Sequence, residues 1–132
     1  MVDVKEKAEL AASLKNRGGY NCCQAVTAAL ANETDLSPEA LMKLSAGFAA
    51  GMGTMQNTCG ALVGAAMVAG LKTNGAGTVR LTSAMSKRFS ELSGSVICRE
   101  LKGIGTGRVL CPCDQCVRNA VCAYYEIIYN AK

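Results

Sequence analysis

The stretch GFAAGMGTMQNTCGALVGAAMVAGL, residues 47–71, decides the fold. From Cys59 onward it carries no charge and consists almost wholly of small and apolar residues, which predicts a buried helix. Gly60 and Gly64 lie one turn apart, a spacing that lets a neighbouring helix approach closely. We expect Thr58 to cap this helix and Cys59 to lie in its first turn, where free N–H groups and the helix dipole favour a thiolate. The alternative for Cys59 is simple packing, because free cysteines are often buried.

Length, charge and composition bound the class of protein. The chain has 132 residues, half of them hydrophobic, which predicts a single helical domain over residues 1–132. A net charge of +4 with 5% aromatic residues is too mild to indicate nucleic-acid binding. We expect no membrane span, because no apolar run has the required length. The charged N-terminal stretch has no export signal, so we expect a cytoplasmic protein.

Cysteine is the outstanding feature of the composition. The chain has 8 cysteines and no histidine. In a reducing compartment, cysteines are more often metal ligands or redox thiols than members of structural disulfides. The absence of histidine excludes His-ligated zinc, His-ligated haem and any Cys–His or Ser–His catalytic pair. The chemistry of this chain is therefore thiol chemistry.

Helical patterns cover most of the chain, and no segment alternates with period two for long enough to predict a strand. Asn21 is expected to cap the second helix, and Ser37 with Pro38 to start the third. The patterns cover residues 3–17, 22–32, 38–48, 59–71, 78–92 and 117–131, and residues 96–103 follow the fifth pattern after a bend or new cap at 93–95. The predicted fold class is all-α, a single bundle of five to six helices with no sheet.

The motif Cys111-Pro-Cys113-Asp-Gln-Cys116 places three thiols just before a predicted helix. Thiols at this spacing can converge on one ion, as zinc in a closed four-ligand site or as part of an iron–sulfur site. Cys113 and Cys116 also have the spacing of a dithiol redox couple, although the thioredoxin context requires βαβ structure. Cys122 faces another side of the helix from Cys116, and we expect it to be packing.

Four segments, in order along the chain, each contain a cysteine in a distinctive setting: Gly19-Tyr-Asn-Cys22-Cys-Gln-Ala-Val26, Gly51-Met-Gly-Thr-Met-Gln-Asn-Thr-Cys59-Gly-Ala-Leu-Val-Gly64, Gly94-Ser-Val-Ile-Cys98-Arg-Glu-Leu and Cys116-Val-Arg-Asn-Ala-Val121. In these segments, and over nearly its full length, the chain resembles the C_GCAxxG_C_C family of redox-active proteins. The family's four cysteines then fall on Cys22, Cys59, Cys98 and Cys116, although the residues around Cys59 depart from a literal Gly-Cys-Ala. The resemblance implies redox activity and a bound metal or cluster.

The remaining cysteines are extras relative to that pattern. They are Cys23, Cys111, Cys113 and Cys122. Other side chains with a conceivable role are Lys72, Arg99 and Arg108, as partners of an anionic cluster or an acidic protein, and Met52, Met55 and Met67, as soft copper ligands. Scattered surface cations usually have no specific role, and methionine in an apolar helix is usually part of the core. We assign these cations and methionines no function.

Three functional hypotheses follow. In the first, Cys22, Cys59, Cys98 and Cys116 hold an iron–sulfur cluster or another thiolate-bound metal for electron transfer with a redox partner protein, with Cys111 and Cys113 as alternate ligands. In the second, the chain is a thiol–disulfide oxidoreductase with Cys59 or Cys116 as the attacking thiolate. In the third, it is a zinc-stapled interaction domain that forms a homodimer through a Gly- and Ala-rich face.

Overall fold

Residues 3–130 are described by a computed structural model. Seven α-helices, α1 to α7, cover Val4–Arg17, Cys22–Ala29, Pro38–Ser45, Gly60–Lys72, Thr78–Ser93, Cys98–Leu101 and Cys113–Asn130. A 3-10 turn lies at Ala31–Glu33. Within the described residues there is no strand, and Thr58 and Ile97 form an isolated antiparallel bridge. Ala131, at the predicted end of the last helix, lies outside the described residues.

The all-α fold class is confirmed, but the predicted number of five to six helices is too low. The structure has more helices than predicted because two short helical elements are separate from the longer helices. The helix α6 is a single turn of four residues, and the 3-10 turn after α2 has three. A left-handed glycine, Gly94, ends α5 and separates it from α6. No helix within residues 3–130 combines the length and the apolar character needed to cross a bilayer.

The helix α4 packs against α2, α5 and α7 and contributes Ala61, Ala65 and Val68 to the core. Its small residues allow a close approach to α2, because a Cβ added at Gly64 would lie 2.9 Å from the carbonyl oxygen of Cys23. The prediction of a buried helix with closely packed glycines is therefore confirmed. This face of α4 packs inside the chain.

Two of the three predicted helix starts are confirmed. The Asn21 side chain accepts a hydrogen bond from the Gln24 N–H at 2.8 Å, and the Gln24 side chain accepts one from the Asn21 N–H at 3.1 Å. Ser37 caps α3. Thr58 does not cap α4, because its backbone pairs with Ile97. The helix starts at Gly60, which puts Cys59 at the N-cap position instead of in the first turn.

A buried carboxylate ties together the ends of α2, α4 and α7. Glu33, just after α2, accepts hydrogen bonds from the hydroxyls of Tyr124 at 3.0 Å and Tyr129 at 2.7 Å, both on α7. Lys72, the last residue of α4, lies with its Nζ 3.6 Å from the same carboxylate. The starts of these three helices meet at the opposite end, so all three run in the same direction.

Candidate thiol site

A cavity of about 220 Å³ lies where α2, α4 and α7 begin. Five cysteines line it, together with a thioether, two ammonium groups and parts of two loops. The lining residues are Cys22, Cys59, Cys98, Cys113, Cys116, Met55, Lys15, Lys102, Asn21, Ala49 and Ala50. None of these described residues carries a carboxylate. The cavity is therefore a site of soft sulfur donors beside positive charge.

The four cysteines expected from the resemblance line this one cavity, and all four are buried. Cys22 is the first residue of α2, and Cys116 lies in the first turn of α7. Cys98 begins α6, and its N–H donates to the Asn57 carbonyl at 2.9 Å. The Cys59 N–H donates to the Val96 carbonyl at 2.7 Å. These two bonds fix the start of α6 against the start of α4.

The structure places Cys113 at the cavity as well, because α7 begins four residues earlier than predicted. Cys113 is the first residue of the helix, and the Cys116 N–H donates to the Pro112 carbonyl at 2.9 Å. The segment expected to be a loop is thus the first helical turn. The available signal was Pro112, since proline is common where helices begin. Cys113 is the one half-buried thiol of the five.

Two glycines make room for two of the thiols. A Cβ added at Gly60 would lie 2.7 Å from Cys22 Sγ, closer than real Cβ atoms approach. A Cβ added at Gly51, whose φ is +56°, would lie 2.8 Å from Cys98 Cβ. Gly51 precedes Cys59 in the sequence and Gly60 follows it. Because neither has a side chain, they leave the space that the side chains of Cys98 and Cys22 occupy.

Cys59 neighbours two other thiols of the cavity, because Cys22 and Cys116 both affect its pKa. The hydrogen bond with Cys116 and burial raise the pKa of Cys59 to about 12, against a smaller opposing effect of Cys22. The hydrogen bond with Cys59, together with burial, also raises the pKa of Cys22. The raised pKa favours the neutral thiol of Cys59 in the metal-free protein, in contrast to the thiolate expected for a cysteine in the first turn of the helix.

Lys102 is a cation of this site that contacts a thiol, and it was not predicted from the sequence. Its Nζ lies 3.2 Å from Cys116 Sγ and donates to the Cys111 carbonyl at 3.0 Å. Burial lowers the pKa of Lys102, but the charges of Cys116 and Cys113 raise it by more, so the ammonium form is favoured. The available signal was the spacing from Cys98, because residues four apart share a helix face.

The other charged candidates lie elsewhere. Lys72 is at the far end of α4 beside Glu33. Arg99 and Arg108 are exposed and do not line the cavity. Of the methionines, Met55 lines the cavity with its Sδ 3.7 Å from Cys98 Sγ, whereas Met52 is exposed.

Three of the extra cysteines lie outside the cavity lining. Cys23 is buried between α2 and α4, with its Sγ 3.9 Å from the Sδ of Met67. Cys111 is buried, and its Sγ accepts a hydrogen bond from the Asn119 amide at 3.7 Å. Cys122 is half-buried on another side of α7. Its charged neighbours there are Glu126, Arg88 and Glu9.

The cavity suits a group of several atoms better than a single metal ion. Among residues 3–130, no three acidic or cysteine side chains stand close enough to share one ion. A single water fills roughly 10–15 Å³ of a cavity, so a cavity of about 220 Å³ has room for a group of several atoms. A donor set of thiols beside ammonium groups suits a soft, anionic, multi-atom group better than a lone ion.

The fold and this site define a helical protein with a cluster of buried cysteines. The sequence profile of the family described as "Putative redox-active protein (C_GCAxxG_C_C)" matches residues 20–127, and the chain belongs to this family. No curated protein and no solved structure matches the chain. The expected family is thereby confirmed.

Proposed function

We propose that the chain is a redox protein in which Cys22, Cys59, Cys98 and Cys116 hold an iron–sulfur cluster, or another thiolate-bound group of several metal atoms, for electron transfer. The observation that carries this proposal is the cavity of about 220 Å³, which four buried thiols from four different helices line. A disulfide couple needs no empty space beside its sulfurs. A cluster does, and its cysteines bind different metal atoms, so no three thiols need share one ion.

The charges around the cavity support an anionic group. The interactions between neighbouring thiols, together with burial, raise the pKa values of Cys22 and Cys59 in the metal-free protein, so thiolates here need positive charge nearby. The starts of α2, α4 and α7 each contribute roughly half a positive charge. Lys15 and Lys102 add ammonium groups. When bound, a cluster would supply one-electron transfer, and its metal atoms would neutralise the thiolates.

Individual residues of the chain would tune such a group. Lys102 donates a hydrogen bond to Cys116 Sγ at 3.2 Å, and hydrogen bonds to cluster sulfurs and nearby charge set reduction potentials. Met55 covers Cys98 with its thioether at 3.7 Å. Cys113 stands at the same cavity as an alternate ligand, while the Cys111 thiol faces Asn119. The partner would be a redox protein.

Thiol–disulfide exchange is the second candidate function, and one observation favours it. Cys59 lines the same cavity as Cys22 and Cys116, and both affect its pKa, so these cysteines are the candidate disulfide partners. The burial of these three thiols weighs against it, because a substrate disulfide would have to reach them. A zinc staple is the least supported alternative, since zinc needs its ligands around one ion. A homodimer stays a prediction.

Anaerobic purification followed by elemental analysis tests the leading proposal. We expect bound iron with labile sulfide and charge-transfer absorption in the visible. Stoichiometric zinc without iron, with unfolding on chelation, would support the zinc alternative instead. A protein that stays colourless and metal-free after anaerobic incubation with iron and sulfide would contradict the proposal.

A further inference from the structure

We propose that Cys113 exchanges with disulfides of low-molecular-weight thiols, with Cys116 as the second thiol, whenever the cavity holds no metal. This activity is that of the metal-free chain, so it does not depend on the proposed electron transfer. The thiol that attacks the small disulfide, Cys113, is not one of the four cysteines that match the family pattern.

Accessibility singles out Cys113. Of the five cysteines that line the cavity, four are buried and Cys113 is half-buried. A disulfide that approaches the rim of the cavity therefore meets this sulfur first. A small disulfide suits a rim with limited access better than a folded protein does. Cys122 is also half-buried, but none of the groups that affect its pKa in the described part of the chain is a thiol.

The geometry of the first turn of α7 supplies the second thiol. Residues three apart on a helix share a face with Cβ atoms about 5–6 Å apart, whereas a disulfide needs Cβ atoms about 3.5–4.5 Å apart. Cys113 is the first helical residue, so a small change at the helix end can close this gap. Lys102, 3.2 Å from Cys116 Sγ, places a positive charge where the second thiolate must act.

The exchange proceeds in two balanced steps. The Cys113 thiolate attacks one sulfur of the small disulfide, a mixed disulfide forms, and one small thiolate leaves. The Cys116 thiolate then attacks the Cys113 sulfur, forms the Cys113–Cys116 disulfide and releases the second small thiolate. The small disulfide is reduced to two thiols and the chain is oxidised by two electrons. If the proposed cluster function is correct, this disulfide also withdraws Cys116 from the metal.

The test uses the reduced, metal-free full chain and oxidised glutathione as the probe, with acid quenching, alkylation and peptide mass spectrometry. The wild-type chain should form the Cys113–Cys116 disulfide without a lasting adduct. Cys116→Ser should retain glutathione on Cys113, because the resolving thiol is missing. Cys113→Ser should lose both products. Cys122→Ser is the matched control, because Cys122 is also a half-buried cysteine of α7, and it should behave like the wild type.

Three results would overturn the proposal: an unreactive wild-type chain, a Cys113→Ser chain that oxidises as fast as the wild type, or glutathione retained on a cysteine other than Cys113. If a variant fails to fold, peptide mass spectrometry of the wild-type chain still shows which two cysteines form the disulfide. A bond between Cys59 and Cys22 would contradict the proposed Cys113–Cys116 pair. Iron binding is scored separately, so a failure of the cluster proposal leaves this result readable.

Discussion

Gly60 carries no side chain at the point where the start of α4 passes Cys22. An added Cβ would lie 2.7 Å from Cys22 Sγ and 2.7 Å from the Phe48 carbonyl oxygen, and the backbone atom cannot turn away. We predict that Gly60→Ala costs about 1–3 kcal/mol of unfolding free energy and lowers the iron bound after reconstitution. Urea unfolding and iron analysis measure both effects.

The matched control for that substitution is Gly70→Ala on the same helix. An added Cβ there meets only the Thr78 methyl group at 4.0 Å. Alanine is the better helix former, so this variant should gain about 0.5–1 kcal/mol and bind iron normally. Equal behaviour of the two variants would show that the space beside Cys22 does not matter.

The buried Cys59 thiol makes the stability of the metal-free protein depend on pH. Its pKa rises from 9.0 to about 12 on folding. A raised pKa stabilises the fold fully below pH 9.0, and that contribution is lost as the pH rises toward 12. Within this window the loss is about 1.4 kcal/mol per pH unit for each such thiol.

We therefore predict that the unfolding free energy of the reduced, metal-free chain falls less steeply with alkaline pH in Cys59→Ser than in the wild type. Urea unfolding at a series of pH values under reductant gives the two slopes. The comparison within one background removes the contribution of lysine and tyrosine titration. Identical slopes would mean that Cys59 is not a buried, protonated thiol.

At the scale of the elements, the start of α2 contributes both stability and the site. Asn21→Ala removes a side-chain cap, which costs about 1 kcal/mol. Asp3→Ala is the matched control, because Asp3 caps α1 through the Glu6 N–H at 3.1 Å, and Asp3 does not line the cavity. Both variants should lose similar stability in urea, but only Asn21→Ala should bind less iron. Equal iron binding would contradict a role for this helix start.

Local signals predicted some helix starts and not others. Asn21 and Ser37 cap helices through bonds to residues three positions away, so the sequence contains all the information needed. The start of α4 depends on the bridge between Thr58 and Ile97, which are distant in sequence. No local pattern could show that Cys59 would become the N-cap residue.

At the scale of the whole molecule, the Glu33 cluster holds the ends of α2, α4 and α7 together. Glu33→Ala leaves the buried hydroxyl of Tyr124 without a partner, so we predict a loss of about 1–3 kcal/mol. Glu39→Ala breaks only the exposed pair with Lys43 and should have no measurable effect. Urea unfolding compares the two variants. The amount of iron bound per folded Glu33→Ala chain should equal that of the wild type. A loss of iron from chains that are still folded would instead show that Glu33 and its partners influence the thiol site.

Residue patterns alone could not predict which cysteines line the same cavity. Periodicity could not choose between Cys22 and Cys23, and only the packing of α2 on α4 separates them. The expectation that Cys59, Cys98 and Cys116 belong together came from the family resemblance. For Lys102 the spacing from Cys98 was the one signal, and it was weak, because a single lysine at the end of a short helix looks like any surface cation until the neighbouring elements are in place.

The iron content of two cysteine variants, after identical anaerobic reconstitution, tests the central claim most directly. Cys59→Ser removes a buried thiol that shares the cavity with Cys22 and Cys116, whereas Cys122→Ser removes a half-buried thiol outside the cavity lining. We predict that Cys59→Ser loses bound iron and the visible charge-transfer absorption, while Cys122→Ser keeps both at the wild-type level. Wild-type iron binding by Cys59→Ser would contradict it.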